Sequence, residues 1–297
     1  MTASCHAVDA GFRARRAEVW LGTLVDITTS ARTERAALDN LRTAFATIAV
    51  VHRSLSGHSR SSELTRVNRN AARATQSISS DFRDVLECAL ELAAQSNGAF
   101  DPTIGGDLVA LGLLPILAQH ERGATWRDVD LDGNAVRFRR PLILDFDGIA
   151  KGYAVDRAIA ALRSGGATQS MVNAGGDLRV HGPESETVSL RTGGAQGVLL
   201  PLVSIADGAV ATSAYLGRRR RVRGRLATPL IDPRNRLPSM STRTISVAAP
   251  TCMIADALTK VVALDGDRSA RLLNRYGASA TIVSPASGRW RSTRLPR

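Results

Sequence analysis

Apolar and polar residues recur along this chain with two different periods, and these periods separate predicted strands from predicted helices. Alternation over residues 20–28 predicts a strand, and apolar residues at helical spacing over 32–55 predict an amphipathic helix. Further helices are predicted over 61–68, 80–96, 153–163, 255–264 and 269–276, and further strands over 126–131, 135–138, 142–144, 170–180, 244–249 and 278–283, with several short strands in 187–215.

The order of these elements predicts the fold class and the domain organisation. Strands and helices mix without a regular βαβ alternation, so we expect an α+β fold with a mixed, largely antiparallel sheet and packed helices. No low-complexity linker or internal repeat divides the 297 residues, and a 44% apolar content is enough for one core. We therefore predict a mobile N-terminal arm over 1–19, one domain over 20–297, and a polar, basic loop over 216–228.

Charge and cysteine content narrow the class of protein. A formal net charge of +12 favours an anionic partner, but only 4% of residues are aromatic and no nucleic-acid-binding motif is present, so we expect no nucleic acid. The Arg218–Arg221 run is the densest basic patch and could contact an acidic protein or a membrane surface. Three scattered cysteines predict neither a disulfide framework nor a zinc site. The sequence as it stands shows no signal peptide and no transmembrane segment, which predicts a cytoplasmic location.

The segment Leu144–Asp156 carries the most chemistry. An apolar run that ends at Leu144 predicts a buried strand, and a helical pattern begins at Tyr153. Such a strand–turn–helix presents free N–H groups that suit a phosphate. Asp145 and Asp147 could hold a divalent cation beside it, and Lys151 could neutralise the remaining charge. The alternative is a tight helix entry whose glycines adopt positive φ.

Other acidic residues allow two interpretations each. Asp256 is either a helix residue favoured by the dipole or a metal ligand, with Thr259 one turn further on the same face. Asp101 either caps a turn or accepts hydrogen bonds from a base or ribose. Asp177 either stabilises a turn or lies where the preceding glycine pair lets another group approach. His52 and His58 are expected to be structural or solvated.

Taken in order, the motifs of this chain resemble the ApbE family of FAD-dependent protein FMN transferases, also called flavin transferases. The matching segments span about residues 20–283. They are Leu21-Gly-Thr23, Ser62-Glu63 with Arg66 and Asn68, Gly98–Thr103, Leu144–Asp156, Val172–Asp177, Ala211–Ser213, Ile231–Arg234 and Ala249–Leu258.

The resemblance implies an ApbE-like, T-fold-related α+β fold, FAD as substrate and a divalent cation, usually Mg²⁺. FMN would pass through its phosphate to a threonine or serine hydroxyl of an acceptor protein, often a subunit of a redox complex, and AMP would leave. Asp256, Gly148 and Thr259 are the implied metal ligands. The implied FAD contacts are Leu21, Ala99, Phe100, Asp101, Asp145, Lys151, Asp177 and Ile231.

Three positions depart from the family pattern. Pro229 stands where many members have a histidine that has been considered for activating the acceptor hydroxyl. Lys260 stands where many members have a metal-binding threonine, and Asp147 replaces a small residue. Asp147 or Asp256 could act as base instead, and they are the candidate catalytic residues. The alternatives are a degenerate member that only binds FAD and a pyrophosphatase that splits FAD into FMN and AMP.

Overall fold

A computed structural model describes residues 11–191, 199–215, 220–222, 225–286 and 289–295. The helices are α1 Glu34–Leu55, α2 Glu63–Asn70, α3 Ser80–Gln95, α4 Gly105–Ala110, α5 Ala150–Ser164, α6 Cys252–Asp265 and α7 Ala270–Arg275. The strands are β1 Phe12–Trp20, β2 Thr23–Ala31, β3 Gln76–Ser77, β4 Val129–Asp132, β5 Ala135–Phe138, β6 Gln169–Ala174, β7 Asp177–His181, β8 Glu186–Arg191, β9 Leu199–Ile205, β10 Ala209–Ala214, β11 Arg220–Val222, β12 Arg225–Ala227, β13 Ile231–Asp232, β14 Leu237–Pro238, β15 Thr244–Ala249, β16 Ser279–Ala286 and β17 Arg289–Leu295.

An eight-stranded antiparallel sheet organises the described part of the chain. Its strand order is β1-β2-β6-β7-β10-β15-β16-β17. Helices α1, α5 and α6 pack against it, and the β8–β9 hairpin places Val188, Val203 and Ile205 against Leu178 and Val180 of β7. The predicted α+β class with a largely antiparallel sheet is therefore confirmed.

The predicted strand over 142–144 is wrong, although the segment is buried. Leu142 and Leu144 are each 1% exposed, but residues 142–144 do not form a strand. The preceding strand β5 pairs with β3 and β4. The side chain of Asn68 takes the place of a neighbouring strand. Its Nδ2 donates to the carbonyl oxygen of Leu144 at 3.0 Å, and its Oδ1 accepts from the Leu144 N–H at 2.9 Å. An amide presents one donor and one acceptor, as a strand edge does, so a long-range side chain satisfies this backbone.

Helices α5 and α6 are in close contact at Gly152, and a side chain of α5 caps the N-terminus of α6. Gly152 does not have positive φ, contrary to one interpretation of the sequence. A Cβ there would overlap the carbonyl oxygen of Cys252 and come within 2.8 Å of the Met253 Cα, so glycine permits the contact. Asp156 accepts hydrogen bonds from the Cys252 and Met253 N–H groups at 2.9 and 2.8 Å. A carboxylate at a helix N-terminus is stabilising, and here α5 supplies it to α6.

Two boundaries also differ from expectation. Residues 12–19, assigned above to an arm, lie in β1 and pair along their length with β2. The strand is largely exposed at the sheet edge, so its sequence lacks the apolar alternation of a half-buried strand. Within the predicted loop 216–228, β11 pairs with β12, while residues 216–219 and 223–224 lie outside the described residues. Of the Arg218–Arg221 run, only the last two residues are described. None of the helices in the described ranges has the length and hydropathy needed to cross a bilayer.

Candidate functional site

A cavity of about 630 Å³ opens where the turns of the main sheet meet the N-terminus of α5. Its walls come from segments far apart in sequence. They include Leu21–Thr23, His52, His58, Ala99–Asp101, Asp145, Asp147, Gly148, Lys151, Asp177, Thr212–Tyr215, Pro229–Ile231 and Lys260. A volume of this size and a mixed polar and apolar lining suit a ligand of small-molecule size.

Two tight turns form one wall of the cavity. Leu21 and Gly22 connect β1 to β2 with φ of 55° and 71°, and Gly175 and Gly176 connect β6 to β7 with φ of 66° and 104°. The turns are neighbours because β2 pairs with β6. A Cβ on Gly175 would overlap the Thr23 hydroxyl. The group that the glycine pair before Asp177 allows to approach is therefore the side chain of Thr23. Leucine at positive φ costs about 1–3 kcal/mol, a strain that proteins keep mainly at functional positions.

Two lysines and two aspartates form the charged floor of the cavity. Lys151 Nζ contacts the carboxylate of Asp177 and lies 3.5 Å from Asp256 Oδ2. Lys260 Nζ contacts Asp256 Oδ1 and donates to the Asp256 carbonyl oxygen at 3.0 Å. The N–H of Gly152 donates to Asp256 Oδ2 at 3.2 Å. The carboxylate of Asp256 is thus surrounded by donors from α5 and α6.

The charges in this floor stabilise one another. Burial raises the pKa of the Asp256 carboxyl, but Lys151 and Lys260 outweigh burial and hold this pKa below its usual range. Burial lowers the pKa of Lys151, but Asp256 and Asp177 outweigh it, so the pKa of the ammonium is raised. Burial and the nearby Asp256 raise the pKa of Asp177 despite Lys151. Lys151 and Asp256 are therefore charged at neutral pH.

A second group of carboxylates lies across the cavity. Asp145 is buried, and its Oδ1 has no hydrogen-bond partner among the described residues. Burial and the neighbouring Asp147 raise the pKa of Asp145 well above its usual range. Asp147 is exposed, with its Oδ2 3.8 Å from His58 Nε2. Asp147 raises the pKa of His58 above the ordinary value of 6.5.

Asp101 mainly holds the loop that carries it. Its Oδ1 accepts from the Thr103 N–H at 2.8 Å and from the Thr103 hydroxyl at 2.7 Å, and its Oδ2 lies 3.4 Å from the Trp126 nitrogen. This geometry fits the turn-cap interpretation. Burial raises its pKa against these hydrogen bonds. The loop presents Ala99 and Phe100 to the cavity, so Asp101 positions an apolar wall.

Most of the predicted site residues come together, but two do not reach the cavity. The residues predicted to contact FAD line it, as do Gly148 and Asp147. Asp256 and Thr259 are fully buried behind it. The Thr259 hydroxyl donates to the Asp256 carbonyl at 2.7 Å and lies 2.8 Å from Ser213 Oγ. The sequence gives His58 no functional role, places Ser213 only in a family-matching segment and does not point to Tyr215. Only the unusual Asp147 hinted at a charged partner for the histidine.

The residues present do not fit a divalent cation at the predicted position. Lys151 and Lys260 cover the Asp256 carboxylate, and the Thr259 hydroxyl is committed to other oxygens. At an effective dielectric of 20, two unit charges 4 Å apart interact by about 4 kcal/mol, and a dication doubles this repulsion with each ammonium. Among the described ranges, no cluster of three or more His, Cys, Asp or Glu side chains is arranged to hold a metal.

The fold and the cavity define an α+β protein with a ligand site at the turns of an antiparallel sheet. The family model for the ApbE family matches residues 21–282, and the chain belongs to this family. Its sequence is 29% identical over 281 residues to a protein from Rhodobacter capsulatus named FAD:protein FMN transferase, covering 88% of this chain and 53% of that protein. It is 28% identical over 219 residues to a protein of the same name from Chlamydia pneumoniae, covering 68% of each.

A solved structure agrees with this assignment at the level of the fold. The apo form of the flavinyl transferase ApbE from Pseudomonas stutzeri is similar with a TM-score of 0.82 at 20% identity, over 98% of this chain and 96% of that one. This chain spans about half the length of the Rhodobacter relative.

Proposed function

We propose that this protein takes FMN from FAD and transfers it to a hydroxyl of an acceptor protein. The observation that carries the proposal is the charged cavity in this member of the ApbE family. The relatives from Rhodobacter capsulatus and Chlamydia pneumoniae are named FAD:protein FMN transferase. Lys151 and Lys260 present ammonium groups that suit a diphosphate. Leu21, Phe100 and Ile231 supply apolar surface that suits the ring systems of a dinucleotide.

The transfer is a displacement at the phosphorus of the FMN half of FAD. A bond forms between the acceptor oxygen and this phosphorus, and the bond from phosphorus to the bridging oxygen breaks. AMP leaves with the bridging oxygen, and the proton of the acceptor hydroxyl goes to a base. Phosphoryl transfer relies mainly on positioning and on neutralising charge, which is the role we assign to the lysines. We propose threonine or serine as acceptor, in a subunit of a redox complex.

The proton is best assigned to the His58–Asp147 pair. Pro229 lines the cavity and has no group that can accept a proton. Asp256 is fully buried behind two lysines, which argues against contact with an acceptor hydroxyl. His58 and Asp147 are both accessible in the cavity wall, at 59% and 62% side-chain exposure. A positioned base typically contributes about 10²–10⁴-fold to the rate.

Magnesium dependence and the final acceptor are implied by the family resemblance alone. The residues around Asp256 do not fit a divalent cation, so the proposed transfer uses the side chains of this protein. The alternative in which the protein binds FAD without transferring FMN is favoured by Pro229, which cannot accept a proton. The pyrophosphatase alternative needs a proton acceptor for the attacking water just as the transfer does.

A mass-spectrometric transfer assay tests the proposed function. We expect a threonine-containing acceptor subunit, mixed with this protein and FAD, to gain the mass of FMN while AMP appears in equal amount. Acceptor with this Thr replaced by Val serves as the matched control and should stay unmodified. AMP without an adduct would establish the pyrophosphatase instead, and bound FAD without AMP would establish the binding protein.

A further inference from the structure

Both lysines of this chain contact the same buried carboxylate. Of the 39 basic residues, Lys151 and Lys260 are the only lysines, and every other one is arginine. One lies on α5 and the other on α6, and the two ammonium groups meet at Asp256. An ammonium is a compact point charge, whereas a guanidinium is a broad planar fork. The site therefore uses the more ion-like cation at both positions in a chain that otherwise uses arginine.

Lys260 is held by Asp256 much as a bound cation would be. Its Nζ contacts both the carboxylate and the main-chain carbonyl of Asp256. An ammonium has three N–H donors, so these contacts leave one for a ligand. The side chain is 20% exposed and lines the cavity, where its Cε lies 3.6 Å from the position of a Cβ on Gly148.

The arrangement directs positive charge at the cavity. Asp256 is fully buried, and the Asp177 side chain is only 3% exposed. Lys151 and Lys260 are more exposed, at 32% and 20%, and both line the cavity, so the lysine side chains lie nearer its opening than the two carboxylates do. Charges of this kind are fixed in place before the ligand arrives, which is how proteins stabilise anionic groups most effectively.

We propose that Lys260 is a built-in counter-cation for the diphosphate of a dinucleotide, so that this protein binds FAD without a divalent metal ion. The inference rests on the proposed function in taking FAD as the ligand. Lys151 supplies the second positive charge, and Asp256 positions both lysines. The competing explanation is an ordinary i,i+4 ion pair that only stabilises α6. That explanation predicts no link between Lys260 and the metal dependence of ligand binding.

Quenching of flavin fluorescence measures this link. We expect the dissociation constant of FAD for the wild-type protein to agree within about threefold between excess EDTA and millimolar MgCl₂. Lys260→Thr should bind FAD at least about tenfold more weakly in EDTA and regain affinity with MgCl₂, because it frees oxygen ligands at Asp256. Arg268→Thr is the matched control: it removes the same charge from an 81% exposed side chain outside the cavity wall and should behave as wild type.

Lysine-selective ¹⁵N labelling gives a second readout on the wild-type protein, in which Lys151→Arg serves only to assign the remaining signal to Lys260. With two lysines in the chain, the side-chain ammonium spectrum contains two signals. FAD in EDTA should shift the signal of Lys260, while MgCl₂ alone should leave it in place. This measurement decides the question even if Lys260→Thr fails to fold.

The proposal is overturned if wild-type protein binds FAD only with Mg²⁺, a result that would leave the proposed function standing. It is also overturned if Lys260→Thr binds FAD in EDTA as tightly as wild type, or if MgCl₂ alone shifts the Lys260 signal. Absence of FAD binding with and without Mg²⁺ would overturn both this proposal and the proposed function.

Discussion

His58 and Asp147 are brought together from positions 89 residues apart, at a separation of 3.8 Å between Nε2 and Oδ2. The carboxylate favours the imidazolium, so the pKa of His58 lies above 6.5. A raised histidine pKa stabilises the folded state below the unfolded pKa of about 6.5, and this contribution is lost as pH rises through the folded pKa. The pair is exposed, so the contribution is below about 1 kcal/mol.

We therefore expect the NMR titration midpoint of His58 to lie above 6.5 and to fall in Asp147→Asn. Asp130→Asn removes an exposed carboxylate that pairs with Arg139 instead, and it should leave the midpoint unchanged. If His58 takes the acceptor proton, the transfer rate should rise with pH through the same midpoint. A His58 titration midpoint that does not change in Asp147→Asn would disprove the pairing of His58 with Asp147.

Single residues differed in how far the sequence could predict their roles. The helix predicted over 61–68 corresponds to α2, which the Ser62 hydroxyl caps by accepting from the Thr65 N–H at 3.0 Å. This prediction succeeds because helical spacing and capping depend on neighbouring residues. The pairing of Asn68 with Leu144 depends on residues 76 positions apart, and no local pattern carries it. Lys260 departs from the family pattern, but its contact with Asp256 and its place in the cavity wall depend on how α5 and α6 pack.

At the level of elements, the junction between α5 and α6 positions the charged floor. Gly152 allows the close approach, and Asp156 caps α6. Together they place Asp256 beside the N-terminus of α5. Periodicity predicted both helices, because each buries a face at helical spacing. It could not predict that the glycine serves helix packing, since this depends on where the partner helix lies.

The effect of Gly152→Ala on the free energy of unfolding tests the contact between α5 and α6. In a helix without a close neighbour, replacing glycine by alanine stabilises by about 0.5–1 kcal/mol. Because a Cβ at Gly152 would overlap α6, we expect Gly152→Ala to destabilise by about 1–3 kcal/mol in urea unfolding. Gly208→Ala is the control, since its Cβ would have its nearest neighbours at 3.9 Å, and the change should stay within about 0.5 kcal/mol. A more stable Gly152→Ala protein would contradict the packing.

At the level of the whole molecule, the fold brings four separate segments to one cavity. The turns at 21–23 and 175–177, the loop at 99–101 and the segment at 229–231 all line it. A net charge of +12 adds a long-range attraction for an anionic ligand. A ligand in this cavity should therefore affect all four segments together.

Hydrogen exchange with and without FAD examines this expectation. We expect slower exchange in all four segments when FAD is bound, because each becomes less accessible and less free to open. Helix α7 lies outside the cavity wall and should exchange at the same rate in both states. Protection confined to one segment would mean that FAD binds elsewhere or contacts only part of this cavity.

The sequence by itself determined the α+β class and most helix and strand positions, and its ordered motifs carry the family resemblance that implies the FAD-contacting residues in the cavity wall. These follow from local periodicity, capping and an ordered set of motifs, all of which are properties of neighbouring residues. Tertiary structure decided that Asn68 replaces a strand, that Asp156 caps α6, that His58 meets Asp147, and that two lysines cover Asp256. Each of these pairings joins residues distant in sequence, and long-range contacts are fixed only when the sheet and helices pack.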